Sequence, residues 1–205
     1  MEYMSRTMDY PGAASVNERI AARVRGIRSQ LGLSLESLAA ACGVSRSALS
    51  LIERAESSPT AVVLDKIAAG LGVPLASLFG NLSDHEAAGP LSRRAEQAVW
   101  RDPSSGYLRR SVSPGGEDSP IQIVDVTFPA GTRVAFETGQ RDRVIYQQLW
   151  MFKGTIDFSI GSDTHRLGAG DCLASRLDRP TMFHNPTAEA ARYAVVVVAE
   201  PIVRR

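Results

Sequence analysis

The hydrophobic period of this chain changes once, near residue 81, and that change constrains the fold more than any other feature. Before it, apolar residues recur at three- and four-residue steps: Ile20, Val24, Ile27 and Leu31, then Leu35, Leu38, Ala39 and Cys42, then Val63, Leu64, Ile67, Ala68 and Leu71. Such spacing places them on one face of successive helices. From Trp100 onward, short runs with strand character alternate with Gly, Pro and Asp breaks: "YLRRSV", "IQIVDVTF", "VIYQQLWMF", "TIDFSI", "THRLG", "DCLAS", "TMFHNP" and "YAVVVVA". Many short strands at this density predict a sandwich or small barrel. With 205 residues, each unit has enough chain to bury its own core. The reading is therefore α+β with two domains: a short arm at 1–16, a helical bundle at 17–80, a polar linker at 81–98 and a β domain at 99–205.

Capping residues divide the helical part. Asn17 is read as the first N-cap and Gly32 as the stop; Ser34, Ser45 and Thr60 cap the next three helices, and "GVPLASLF" supplies a short fifth. Gly43 makes a tight turn between the second and third helices. The third, "SRSALSLIER", has an unusual surface: its apolar positions are few, Ala48, Leu49 and Ile52 with Leu51 one step off that stripe, and Ser45, Arg46, Ser47, Ser50 and Arg54 are small or cationic. Serine is a mediocre helix former and packs no core. A slim helix that offers donors suits the major groove of DNA, where the second helix of a helix-turn-helix places its N-terminal residues at base edges. Arg46 is the best base reader, since a guanidinium bonds guanine O6 and N7 together. Ser47 and Ser50 reach bases or phosphates, and Leu51 a thymine methyl. The helix starts at Ser34 and Ser45 turn N–H groups toward phosphate. The competing reading is a capped helix in an ordinary bundle, because residues 17–80 carry only seven Lys+Arg against five Asp+Glu.

Bulk charge is nearly balanced, 23 Lys+Arg against 22 Asp+Glu, so any nucleic-acid site has to be local. No apolar run is long enough to span a membrane, and the N-terminus lacks a signal-peptide core. The two cysteines, Cys42 and Cys172, are far apart and read as free thiols in a reducing cytoplasm.

The string "LSLESLAAACGVSRSALSLIERAESSPT…LDKIAAGLGVPLASLF" resembles the XRE family of helix-turn-helix repressors over residues 17–80. That resemblance implies a five-helix, lambda-repressor-like bundle that binds an operator, with base-reading positions at Arg46, Ser47 and Leu51 and with Ser50 and Arg54 close by. It also implies that Glu53 pairs with Arg28. Many members carry glutamine where this chain has Leu35, which removes one polar group from the start of the second helix.

Residues 129–185 resemble the cupin family through "PAG" at 129–131, "LWMFKGTIDFSIG", "HRLGAGDCLASRLDRPTMFHN" and the closing "YAVVVVA". The resemblance implies a double-stranded β-helix barrel, and XRE domains fused to cupins are bacterial regulators. It places Gln147 where metal-binding members carry glutamate and Thr181 where they carry the histidine of the second motif. The first-motif histidines would fall in "FETGQRDR", which has none. With only His85, His165 and His184 in the chain, no metal or other cofactor is expected, although His184, Glu137 and Asp142 make a set on paper. If Gln147 faces inward, strand alternation turns Arg143, Ile145, Leu149 and Met151 inward as well. Val144, Tyr146, Gln148, Trp150 and Phe152 then face outward, against a second sheet or a partner subunit. An effector pocket would be lined by Arg133, Phe136, Arg143, Ile145, Gln147, Leu149, Arg176, Thr181 and His184.

The function expected is a DNA-binding transcriptional regulator, a repressor acting as a homodimer on a palindromic operator, whose barrel senses a small metabolite and does no catalysis. The alternatives are a metal-dependent cupin enzyme joined to a DNA-binding domain, and a barrel used only to dimerise or to bind a protein partner.

Overall fold

The computed structural model describes residues 15–79, 89–114, 120–137 and 143–201. The arm at 1–14, residues 81–88 of the expected linker and Asp142 lie outside the described residues, as does the side chain of Arg143.

Among the described residues the helical unit has four α-helices, α1 (Val16–Gln30), α2 (Leu35–Cys42), α3 (Arg46–Glu53) and α4 (Ala61–Gly70). The expected fifth helix is a 3-10 turn, Leu75–Phe79. Pro74 opens it, and at five residues it is too short to settle into α geometry. The N-cap of α1 is Ser15, not Asn17: Ser15 accepts from the Glu18 N–H, and the Glu18 carboxylate returns a bond to the Ser15 N–H. Such a reciprocal pair satisfies two orphan donors, which Asn17, whose amide donates to Ser58 Oγ at 2.7 Å, does not. Ser34, Ser45 and Thr60 cap α2, α3 and α4 as the sequence reading expects. Gly43 adopts φ 64°, the left-handed conformation that a C-cap favours in glycine. Leu38, Leu49, Ile52, Leu64 and Ile67 are almost fully buried between the helices. Each contributes about 1.5–3 kcal/mol.

Among the described residues the β domain contains ten strands: β1 (Val99–Arg101), β2 (Leu108–Ser111), β3 (Ile121–Phe128), β4 (Arg133–Phe136), β5 (Arg143–Lys153), β6 (Ile156–Ile160), β7 (Asp163–Leu167), β8 (Cys172–Arg176), β9 (Thr181–His184) and β10 (Ala191–Pro201). β1, of three residues, and β4, of four, are additions to the expected set. Two antiparallel sheets form, one in the order β1-β2-β3-β10-β5-β8 and one in the order β4-β9-β6-β7. They face each other across Phe128, Leu149, Met151, Ile156 and Phe158, giving the cupin-type barrel. Period-two alternation in β5 holds: Ile145, Gln147, Leu149 and Met151 are buried, whereas Tyr146, Trp150 and Phe152 stand exposed on the outer face.

The two units meet over a continuous core. The Phe79 ring packs edge-on against Trp100 at 5.4 Å, and Trp100 does the same to Tyr107 at 5.8 Å. Asp102, at the end of β1, is buried, and its Oδ1 accepts the N–H of Ala61, the first residue of α4, at 3.0 Å. Gln122 Nε2 donates to Ser77 Oγ at 3.4 Å. On the other side of the seam, Lys66 Nζ lies 3.3 Å from Glu137 Oε2.

Candidate nucleic-acid interface and barrel cavity

The axes of α2 and α3 turn through 114° about Gly43, within the range for helix-turn-helix units. Arg28 of α1 holds α3 from behind: its Nε and Nη2 donate to Glu53 Oε1 and Oε2 at 2.6 and 2.8 Å, and its Nη1 donates to Leu33 O at 2.8 Å. Glu53 is buried, and the bidentate bonding raises the Arg28 pKa. With its inner face pinned, α3 turns Arg46, Ser47 and Leu51 to solvent. Arg46 has no ion-pair partner among the described residues, so its guanidinium is available to a base edge. Ser50 is half-buried and accepts from Arg54, which also pairs with Glu56 at 2.8 Å. Ser45 and Ser34 spend their hydroxyls on the Ala48 and Ser37 N–H groups, at 3.2 and 3.0 Å. What these two positions leave for phosphate is backbone N–H at the helix starts.

The second feature is a cavity of about 90 Å³, with space for several water-sized groups. The barrel supplies Tyr107, Arg109, Val126, Phe128, Phe136, Ile145, Gln147, Thr181, Phe183, Tyr193, Val195 and Val197. The helical unit supplies Asp65 of α4 and Pro74, Leu75 and Ala76, so it forms part of the wall over the barrel. Burial pushes the Tyr107 phenol up to about 12 and the Tyr193 phenol well above its ordinary value. Burial lowers the Arg109 pKa.

Residues 24–78 match the helix-turn-helix family HTH_3. The N-terminal unit is an XRE-type helix-turn-helix domain. The HTH-type transcriptional regulator SutR of Escherichia coli (strain K12) is 26% identical over 162 residues, 79% of this chain and 84% of that protein. The HTH-type transcriptional regulator PuuR of the same organism is 26% identical over 171 residues, 83% of this chain and 89% of that protein. An HTH_3 family transcriptional regulator from Vibrio cholerae has the same fold, with a TM-score of 0.70 at 23% identity, covering 89% of this chain and 96% of that one. This chain is a DNA-binding transcriptional regulator that joins a helix-turn-helix domain to a cupin-type barrel.

Of the nine residues expected around the regulator's pocket, Phe136, Ile145, Gln147 and Thr181 line the cavity. Leu149 is fully buried in the core beside it. Three do not belong there. Arg133 is exposed on β4, opposite His184 in the ladder. Arg176 is exposed on β8 and lies 3.6 Å from Asp178. His184 directs Nδ1 toward Asp157, 3.9 Å away, on the face of β9 opposite Phe183. One physical reason covers these exclusions: strand alternation turns every second side chain away from the interior, and charged groups take the wet face. For the metal set written on paper, Glu137 is exposed and bridges Lys66, while His184 faces Asp157. No group of three or more His, Cys, Asp or Glu side chains with metal-site geometry occurs among the described residues. The groups at the two positions implied by the cupin resemblance, an amide and a hydroxyl, are poor ligands for a catalytic divalent metal.

Sequence reasoning missed Arg109, Tyr107, Tyr193 and the four cavity residues of the helical unit. A signal existed for Arg109. "YLRRSV" reads as a strand with adjacent arginines, and alternation must send one of them inward. Arg110 faces out, 3.9 Å from Asp125, while Arg109 is buried.

Proposed function

We propose that the chain works as a ligand-responsive repressor in the cytoplasm, acting as a homodimer on a palindromic operator. The observation that carries the sensing role is the composite wall of the cavity: Asp65 and Pro74–Ala76 belong to the DNA-binding domain, and the rest belongs to the barrel. A small molecule seated there touches both domains at once. Its differential affinity for their alternative arrangements sets the coupling, typically about 1–3 kcal/mol. Binding rather than catalysis suits the lining, which is mostly apolar and aromatic with an amide, a hydroxyl, phenols and a few charged groups, among them Arg109 and Asp65.

The dimer face is the outer surface of the six-stranded sheet. Tyr146, Trp150 and Phe152 stand exposed along β5, with Ile121 and Ile123 exposed on β3. β10 lies between them and sets Val198 opposite both Tyr146 and Ile121, so the apolar patch is continuous across the sheet. The Arg192–Asp125 ion pair, at 2.9 Å, borders it. A second copy of the chain is the occupant that supplies two recognition helices to half-sites roughly 34 Å apart, or a multiple of that. Sedimentation is expected to give the mass of two chains, and selection from random duplexes a palindrome.

Two substitutions test the reading. Arg46→Ala is expected to relax preference at one base pair of each half-site, at a cost of about 1–3 kcal/mol. Electrophoretic titration against single-base operator variants measures this, and an unchanged profile rejects Arg46 as a reader. Thr181→Trp fills the cavity and is expected to hold the protein in one state. Operator occupancy in cells then stops changing across growth conditions under which that of the natural chain does. Persistence of the full response overturns the cavity as the effector site.

A further inference from the structure

The cavity contains two buried donors that lack acceptors. Arg109 is 7% exposed and its Nε has no hydrogen-bond partner; Gln147 is 5% exposed and its Nε2 has none. Phe79 covers one face of the Arg109 guanidinium, whose Cζ is 4.9 Å from the ring centroid, so the donor edge remains for an acceptor. Guanidinium stays protonated even where burial lowers its pKa, and a buried cation without a hydrogen-bonded anion is unfavourable. No ion pair to Arg109 occurs among the described residues. The other charged groups of the cavity have engagements of their own. Asp65 interacts within the chain and also favours the charged Arg109 through space. Glu137 bridges Lys66, and Arg179 bridges Asp163 and Asp178. Phe128, Phe136, Phe183, Val195 and Val197 make the rest of the wall apolar. Arg109 on β2 and Gln147 on β5 are separated in the sheet by β3 and β10, so the two donors mark different ends of the space.

Resting on the effector reading above, we propose that the cavity takes a small organic carboxylate: its acid group pairs with Arg109, its apolar body lies against the aromatic wall, and a second acceptor meets the Gln147 amide. The carboxylate completes a charge that the fold leaves buried, and the far acceptor satisfies the amide.

The test uses the full-length protein and matched straight-chain probes from butanoate to octanoate, their ω-hydroxy acids, their amides and their amines, read by thermal shift and calorimetry. Carboxylates are expected to raise the melting temperature saturably, ω-hydroxy acids most, amides weakly and amines not at all. Arg109→Met is expected to act in opposite directions on two readouts. The ligand-free protein melts higher, because an unpaired buried charge is gone, while carboxylate affinity falls roughly ten- to a hundredfold. A purely structural arginine would lower the first and leave the second. Gln147→Leu, which leaves Arg109 intact, is expected to erase the preference for ω-hydroxy acids and keeps the test informative if Arg109→Met does not fold. A preference for amines or amides overturns the ligand class. So does the absence of any carboxylate shift in the natural chain. In either case Thr181→Trp decides the cavity separately: loss of the cellular response in that variant leaves the effector reading standing, and an intact response removes both.

Discussion

Replacing Asn185 with alanine is expected to cost the barrel about 3–5 kcal/mol, among the largest effects of any single polar substitution in the chain. Asn185 is fully buried just after β9, where the chain leaves the four-stranded sheet. Its Nδ2 donates toward the carbonyls of Phe128, Pro129 and Glu189, at 3.3, 3.1 and 2.8 Å. Its Oδ1 accepts the N–H and the hydroxyl of Thr187, at 3.0 and 2.7 Å. One side chain thus ties the end of β3 to the turn that leads into β10. Alanine leaves buried carbonyls without donors and a cavity too small to hydrate them well. Urea denaturation followed by far-ultraviolet circular dichroism measures the loss. Asn185→Asp should be nearly as harmful, because the carboxylate keeps the acceptor and loses both donors. A loss below about 1 kcal/mol for Asn185→Ala would mean that water replaces the amide at this site.

Asp102→Ala is expected to cost about 2–4 kcal/mol and to loosen the seam between the domains. The carboxylate serves both sides of that seam. Oδ1 accepts the Ala61 N–H at the start of α4, and Oδ2 accepts the Ser105 N–H at 3.0 Å together with the Ser105 hydroxyl. Negative charge at a helix N-terminus is favourable, and both Asp102 and Ala61 are out of reach of water. Without it, an N–H of α4 is orphaned inside the protein, and the turn closed by the Asp102 N–H on the Tyr107 carbonyl loses its brace. Hydrogen exchange is the informative measurement. Faster exchange is expected at the first turn of α4 and in β1, with the β5–β10 ladder unchanged. Since α4 also carries Asp65 into the cavity, the same substitution is expected to weaken the coupling between cavity and operator. Asp102→Asn keeps the Oδ1 acceptor and should recover part of the stability. Equal loss for both variants would assign the effect to the charge and the Oδ2 contacts with Ser105, which asparagine also loses, rather than to the Oδ1 bond to Ala61.

The helix-turn-helix was legible because its determinants are local. Ser34, Ser45 and Thr60 lie within three residues of the N–H groups they cap, and Gly43 needs only its own backbone freedom. The start of α1 was misread by two residues because Asn17 and Ser15 are both acceptable caps, and the choice depends on Glu18 closing the reciprocal bond at Ser15. In the barrel, alternation within β5 correctly turned Gln147 inward and Trp150 outward. It did not identify Arg133, Arg176 and His184 as outward-facing, because these lie on short strands where one slip of register reverses every side chain.

The chain's own order of residues was enough to read a helical unit followed by a β unit, a helix-turn-helix whose second helix exposes Arg46 and Ser47, and a barrel with Gln147 and Thr181 at the positions where the cupin resemblance puts metal ligands. Such properties depend on period, capping and residue type, which are written within a few positions of one another. Only the three-dimensional arrangement disclosed that α4 and the 3-10 turn help to wall the barrel's cavity, that Asp102 bonds the start of α4 across the seam, and that Arg109 is buried in that cavity with an unmet donor. Those facts depend on which distant segments become neighbours, and long-range packing, unlike a helical turn or a strand's alternation, leaves no local mark on the sequence.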